Sequence, residues 1–272
     1  VSAGDYITDR LYVNDKAVSM IGQDKETTTF LSSDIGGIFI NNSRGHLENI
    51  TLRYGTWVDN SHAVIRNCIV DTGSVGVFFL GNNSTSSGAV QNCILTNNED
   101  AIRIYRSSNP IFITNNTISY NTGLNGGTGI YLMDTATDSP VPPVISNNIF
   151  SHNRQYGIYE DDWNVVSLDA QLTNNCFFAN GSGDYHDHTQ AVYTGADQIN
   201  QLVDNGTSIV GNNIDGDPLF VGGNPFDFHL VGRSPAVDAG HPSPTAAYPT
   251  IDIDNEARPD GVQTDIGADE FV

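Results

Sequence analysis

Basic side chains are scarce in this chain of 272 residues. Lys and Arg together number 11 against 32 Asp plus Glu, for a net charge of −21, and the only lysines are Lys16 and Lys25. A phosphate backbone or an anionic bilayer would meet net repulsion, which argues against nucleic acid as a partner. No run of about 18 apolar residues occurs, and no membrane insertion is expected. Cysteine is limited to Cys68, Cys93 and Cys176, an odd number that argues against a disulfide framework. Apolar stripes at helical spacing are missing, so helices are not expected to build the core. The chain opens at Val1 without an initiator Met, as a mature or trimmed product would.

What the chain has instead is glycine, 27 in all, abundant asparagine, and short Val/Ile/Phe/Tyr runs between Asn, Gly, Ser and Asp clusters. That pattern predicts many short strands and tight turns. One phrase returns along the chain: Leu47-Glu48-Asn49-Ile50, Ile65-Arg66-Asn67-Cys68, Val90-Gln91-Asn92-Cys93, Ile113-Thr114-Asn115-Asn116, Ile145-Ser146-Asn147-Asn148, Leu172-Thr173-Asn174-Asn175 and Val210-Gly211-Asn212-Asn213. Taking Asn49, Asn67, Asn92, Asn116, Asn148, Asn175 and Asn213 as anchors, the spacing runs from 18 to 38 residues. The middle values fit a coil of three short strands, and the longer ones leave room for loops. A second phrase alternates with the first: Gly37-Ile38-Phe39-Ile40, Gly76-Val77-Phe78-Phe79, Ala101-Ile102-Arg103-Ile104, Gly129-Ile130-Tyr131-Leu132 and Gly157-Ile158-Tyr159-Glu160.

Two phrases in alternating phase predict an all-β, right-handed, single-stranded parallel β-helix. One coil cannot bury its apolar face alone, whereas coils stacked about 4.8 Å apart share a continuous core. Equivalent residues then form columns, and the anchor asparagines are expected to ladder through their amides. The three cysteines each follow an anchor, so one interior column is expected to hold them all. The chain divides into a first coil and cap over 1–36, Asn-anchored coils over 37–215, and final coils with a C-terminal cap over 216–272, where proline rises and the repeat breaks.

The string from Asp217-Pro218-Leu219-Phe220 through Ser234-Pro235-Ala236-Val237-Asp238-Ala239-Gly240 to Arg258-Pro259 and Asp265-Ile266-Gly267-Ala268-Asp269-Glu270-Phe271 resembles the C-terminal end of secreted right-handed β-helix proteins of the pectin-lyase-like fold. The anchored coils resemble the repeat of the same group. The resemblance implies fold and an extracellular or cell-surface location. It does not imply one activity, because lyases, hydrolases, epimerases, adhesins and structural proteins share the fold.

Candidate functional residues follow from the strand period. With Val77, Ile102, Ile130 and Ile158 inward, Phe78, Arg103, Tyr131 and Tyr159 point outward in one row. Leu80, Tyr105, Met133 and Asp161 form the next outward row, with Arg106, Asp134, Asp162 and Trp163 in the adjoining turns. Aromatic platforms among polar groups suit sugar rings, so the glycan-binding set is Phe78, Arg103, Tyr105, Tyr131, Tyr159 and Trp163; an ordinary solvated face is the alternative. Catalytic candidates are Arg103, Asp134 and Asp161. Polysaccharide lyases of this fold use an Arg or Lys base beside a Ca²⁺ carboxylate cluster, which these residues imitate loosely, with no motif matching residue by residue. Asp134 and Asp161 could also form a glycosidase pair.

Asp184, His186 and His188 form a candidate metal-binding loop. Asp184-Tyr185-His186-Asp187 also resembles an epimerase motif in which Tyr185 replaces a proline. Asp252 and Asp254 alternate like the opening of a Ca²⁺ loop, although Ala257 stands where an EF-hand needs glycine. Ca²⁺ is thus the cofactor these acids suit, and none is required by any motif. The reading that follows is a noncatalytic extracellular structural or adhesive protein that contacts glycans or self-associates into filaments. A polysaccharide-active enzyme, a lyase before a hydrolase or epimerase, is the alternative.

Overall fold

The chain winds through three parallel sheets in strict rotation. A computed structural model describes residues 1–32, 37–81, 86–105, 109–123, 126–133, 141–161, 171–202, 210–222, 226–241 and 248–272. Among these, a first sheet of nine strands runs from Gly4–Thr8 to Ile214–Asp215, and a second of nine from Leu11–Asn14 to Val192–Tyr193. A third sheet of eight runs from Ala17–Ile21 to Val210–Gly211. Through Tyr156–Glu160 each strand pairs with the one three later in sequence, so every circuit of the three sheets adds one coil. All pairings are parallel except the last in the second sheet, where Tyr185 and His186 meet Tyr193 and Val192 antiparallel. The architecture is the parallel β-helix that the alternating phrases predict.

The second phrase forms strands Val75–Leu80, Asp100–Tyr105, Thr128–Met133 and Tyr156–Glu160 of the second sheet. Their inward residues Val77, Ile102, Ile130 and Ile158 are fully buried and in register. The glycine second in three of these strands has a steric reason. A Cβ on Gly129 would sit 2.4 Å from the Gly157 carbonyl, and one on Gly76 2.5 Å from that of Ala101.

Coil corners are made by residues in the left-handed region, where asparagine is tolerated better than most. At the corner from third to first sheet these are Asn49, Asn67, Asn92, Asn115, Asn147, Asn174 and Asn212, with φ between 50 and 58°. The interior ladder lies one residue further on. The Asn116 backbone N–H donates to Asn148 Oδ1 (3.1 Å), Asn148 N–H to Asn175 Oδ1 (3.0 Å) and Asn175 N–H to Asn213 Oδ1 (3.0 Å). The expected anchor column is therefore two columns: Asn49, Asn67 and Asn92 hold the turn, and Asn116, Asn148, Asn175 and Asn213 fill the interior. Cys68 and Cys93 occupy that interior column, and their thiols donate to the Arg66 (3.1 Å) and Gln91 (3.2 Å) carbonyls, as Asn148 Nδ2 donates to the Ser146 carbonyl (3.1 Å). Cys176 stands outside the column, paired between Ile149 and Ile214 in the first sheet, which corrects the expectation of three cysteines in one row.

A second ladder, not anticipated, lines the corner from first to second sheet. Gly73 N–H donates to Asn98 Oδ1 (2.9 Å), and the amides then link Asn98 to Asn121 (3.1 Å), Asn121 to Asn153 (2.9 Å) and Asn153 to Asn180 (2.9 Å). Buried side-chain amides in both ladders meet partners, which is what allows so polar a sequence to form a core.

Among the described residues, the segment after Asp215 adds no strand to the three sheets, contrary to the expectation of final coils over 216–272. It runs back along the outside of the solenoid. Asn174 Nδ2 donates to the Ala239 carbonyl (3.4 Å), His241 N–H to Asn147 Oδ1 (2.8 Å) and Asn92 Nδ2 to the Ile251 carbonyl (2.5 Å). Lys25 Nζ, on the loop that leads into the second coil, reaches Asp254 Oδ1 at 2.9 Å. The strap is knotted by Arg258, which donates to Glu270 Oε2 (3.0 Å) and to the carbonyls of Asp265 (3.1 Å) and Gly267 (2.9 Å). The reason it cannot coil is visible in its bonding: its acids cap backbone N–H groups within the strap instead of pairing with a strand.

Candidate functional site

The outward row of the second sheet is longer than the sequence reading proposed. The register aligns Tyr12, Phe39, Trp57, Phe78, Arg103, Tyr131, Tyr159 and His186 in one unbroken column. Tyr12 and Phe39 stack with centroids 5.1 Å apart, Phe39 and Trp57 at 5.6 Å, and Tyr159 and His186 at 4.4 Å. Rings stacked flat use their faces on each other and hold neighbouring coils together, each pair contributing about 0.5–1.5 kcal/mol beyond burial. Two junctions differ. Trp57 and Phe78 meet at 65°, and Tyr131 and Tyr159 at 89°. At each, one ring turns its plane out of the stack.

Arg103 lies between these junctions. Its Nε and Nη2 both reach Asp100 Oδ2, at 2.7 and 2.6 Å, and its guanidinium carbon sits 5.7 Å from the Tyr131 ring centre. Tyr131 donates its hydroxyl to Asp161 Oδ2 at 3.1 Å. Burial first, and Asp161 second, raise the Tyr131 hydroxyl above its ordinary range, so it stays a neutral donor. Tyr105 follows Leu80 and precedes Met133 in the adjacent outward row. The structure thus brings Phe78, Arg103, Tyr105, Tyr131, Tyr159 and Asp161 onto one face. Asp134, Trp163, Arg106 and Asp162 lie outside the described residues. The Arg103 guanidinium is thus engaged by the Asp100 carboxylate, at 2.6 Å.

The two proposed metal loops do not converge. Asp184 accepts from Asn180 Nδ2 (2.8 Å) and Gly195 N–H (2.7 Å), His186 is buried in the ring column, and the His188 ring faces Glu160 at 3.6 Å. Strand pleating and the turn that follows send the three in separate directions. Asp252 is fully buried. Its Oδ1 accepts from Asp254 and Glu256 N–H (both 2.8 Å) and its Oδ2 from Glu270 N–H (3.1 Å), so it caps the strap and is turned away from any ion.

Asp254 instead faces a cavity of about 930 Å³ between the strap and the outer face of the first sheet. Phe226, Phe228 and Tyr120 wall one side, and Lys25, Asp227, His229, Asp254 and Asp269 the other. His229 Nε2 lies 2.8 Å from Asp254 Oδ2, and its Nδ1 is hydrogen-bonded to Asp227. The bond to Asp254 raises His229 to about 10, and the same bond lowers Asp254 to about 2. Burial pushes Asp269 up to about 7. His229 and Asp269 were not in the predicted site, since each stands singly in a segment with no repeat.

The family profile described as the right handed beta helix region matches residues 36–215. The chain belongs to that family. No curated protein sequence matches this β-helix protein. The solved structure of pectate lyase Pel9A aligns over 100% of this β-helix chain and 87% of its own, at 11% identity and a TM-score of 0.39. An overlay that distant says nothing about the activity of the β-helix described here.

Proposed function

We propose that this β-helix is a noncatalytic extracellular or cell-surface component that binds an extended neutral polysaccharide along its second sheet. The observation that carries the reading is the pair of edge-to-face junctions, Trp57/Phe78 and Tyr131/Tyr159, set on either side of Arg103. Ring planes turned out of a column, with an ion pair between them, offer apolar platforms for sugar rings and polar groups for their hydroxyls. Coils spaced about 4.8 Å apart give that face a repeat on the scale of one sugar residue. Neutral glycans are favoured over uronates because Asp59, Asp100 and Asp161 flank the column and the whole chain carries −21. Arg103, the basic candidate that chemistry on a uronate would call on, is engaged by Asp100. The extracellular setting follows from the resemblance of the C-terminal string, and a solenoid that presents such a face suits a matrix or adhesive role.

The test is affinity electrophoresis and binding isotherms on neutral and uronate polysaccharides, with F78A, Y131A and F39A compared. F78A and Y131A are expected to weaken binding about tenfold each, near 1.4 kcal/mol. F39A, which removes a flat-stacked ring, should leave affinity unchanged. Equal binding by all variants, or preference for uronates, refutes the site. Accumulation of unsaturated product absorbance on any uronate polymer refutes the noncatalytic reading.

A further inference from the structure

We propose that His229, Asp254 and Asp269 form a binding site for a divalent transition-metal ion of the Zn²⁺ class at the wall of the strap cavity. The three offer one imidazole nitrogen and two carboxylate oxygens, all within 4.8 Å of one another. They come from separate parts of the strap, yet meet at one point against the first sheet.

The second observation is Asp269. Its side chain is only 7% exposed. Its Oδ2 accepts the Leu230 N–H at 2.8 Å, while its Oδ1 takes no hydrogen bond from any described residue and lies 3.9 Å from His229 Nε2, beyond hydrogen-bond reach. A carboxylate oxygen that takes no hydrogen bond at the cavity wall has lone pairs placed to meet a cation. The cavity on which Asp269 opens is where that partner would enter.

The surroundings have the form of an outer coordination shell. Asp227 holds His229 through Nδ1, which fixes the ring and turns Nε2 toward the two carboxylates, as second-shell acids do for metal-bound histidines. Lys25 occupies Asp254 Oδ1 at 2.9 Å and leaves Oδ2 to face Nε2. Nε2 and Asp254 Oδ2 lie 2.8 Å apart, and an ion set between them replaces that contact and gains Asp269 Oδ1 as a third ligand atom. Charge favours the exchange. Three carboxylates, Asp227, Asp254 and Asp269, face Lys25 and a single imidazole, and a dication beside a neutral His229 balances them.

An imidazole in the set selects Zn²⁺ and its neighbours over Ca²⁺, which takes six to eight oxygens. Three protein ligands would leave further positions toward the cavity for water or an oxygen ligand. The inference does not depend on the glycan face, which lies on another sheet.

The experiment is calorimetric titration of the full chain, stripped with chelator, with Zn²⁺, Ca²⁺ and Mg²⁺ at mildly alkaline pH, and a parallel Co²⁺ titration read by visible d–d absorption. Zn²⁺ is expected to bind one-to-one and Co²⁺ to give a saturable spectrum. H229A and D269N should each weaken Zn²⁺ at least tenfold and abolish the Co²⁺ bands. D227N, which keeps all three ligands, should weaken binding about 10–100-fold with the bands retained. H186A is the control for binding elsewhere and should match wild type. Circular dichroism of each variant identifies any loss of fold, in which case the fully folded member of H229A and D269N decides. Silence toward Zn²⁺, tighter binding of Ca²⁺ than Zn²⁺, or wild-type affinity in folded H229A or D269N overturns the assignment.

Discussion

Deleting one rung of the interior ladder should be among the most damaging single changes to this fold. Asn148 is fully buried. Its Oδ1 accepts from the Asn116 backbone N–H (3.1 Å) and from Asn116 Nδ2 (2.9 Å), and its own Nδ2 donates to the Ile113 carbonyl (2.8 Å) and to Asn175 Oδ1 (3.0 Å). In Asn148→Ala, Asn116 Nδ2 keeps the Val90 carbonyl (2.8 Å) and Asn175 Oδ1 keeps the Asn148 N–H (3.0 Å). The Asn116 N–H and the Ile113 carbonyl lose these partners in the fully buried interior. Each buried group left unmade costs about 1–3 kcal/mol, so the variant should lose roughly 2–6 kcal/mol. That is a large share of the roughly 5–15 kcal/mol that holds a typical domain together. Urea unfolding followed by far-ultraviolet circular dichroism measures it, with Asn41→Ala as reference. Asn41 also makes an inter-coil amide bond, to Asn14 at 3.0 Å, but on the exposed side, where its loss should cost no more than about 0.5 kcal/mol. Adding Asn116→Ala to Asn148→Ala should cost less than the two separately, because they share bonds. A midpoint for Asn148→Ala no lower than that of Asn41→Ala would refute the claim that the ladder carries stability.

Two further outcomes follow from burial. Cys68, Cys93 and Cys176 are all free and buried, and burial raises Cys93 well above the ordinary thiol range and Cys176 to about 12, so the native chain should not react with a thiol reagent while the urea-unfolded chain titrates three groups; rapid native labelling would contradict the interior placement. Burial also pushes Asp265 up to about 6 from 3.8, so the fold keeps a proton that the unfolded chain has released. The stability this group contributes is full below 3.8 and is lost as pH rises through 6, so the unfolding midpoint of wild type should fall more steeply over that window than that of D265N; parallel slopes would contradict it.

How far the sequence could be read depended on whether a residue repeats. The outward row Phe78, Arg103, Tyr131 and Tyr159 was legible because strand period alone decides which side a residue faces once a flanking glycine sets the phase. The upper part of that column, Tyr12, Phe39 and Trp57, was within reach of the same argument, since Gly37-Ile38-Phe39 is a copy of the phrase. The ladder was misphased because doubled asparagines such as Asn147-Asn148 carry both the turn residue and the interior residue, and the sequence does not say which is which. In the earlier copies Ile50, Cys68 and Cys93 take the interior place, which hides the column further. The second ladder did leave a signal: Asn121, Asn153 and Asn180 each follow an interior asparagine by five residues. Nothing comparable marks His229, Asp254 and Asp269. They are brought together by a segment whose path depends on where Arg258, Asp252 and Asp238 find backbone partners, and no period announces such a path.

The grip of Asp254 on Lys25 joins positions 229 residues apart in a fold whose other contacts are mostly between adjacent coils. An open stack of repeats can peel from either tip, losing one layer at a time. Here the outermost layer at the start of the chain is tethered to the tail, and the tail in turn lies across the middle layers. Loosening either terminus therefore strains the other, and the molecule resembles a closed ring more than a rod. Clipping the chain after residue 240 would restore the rod, with two independent ends free to fray.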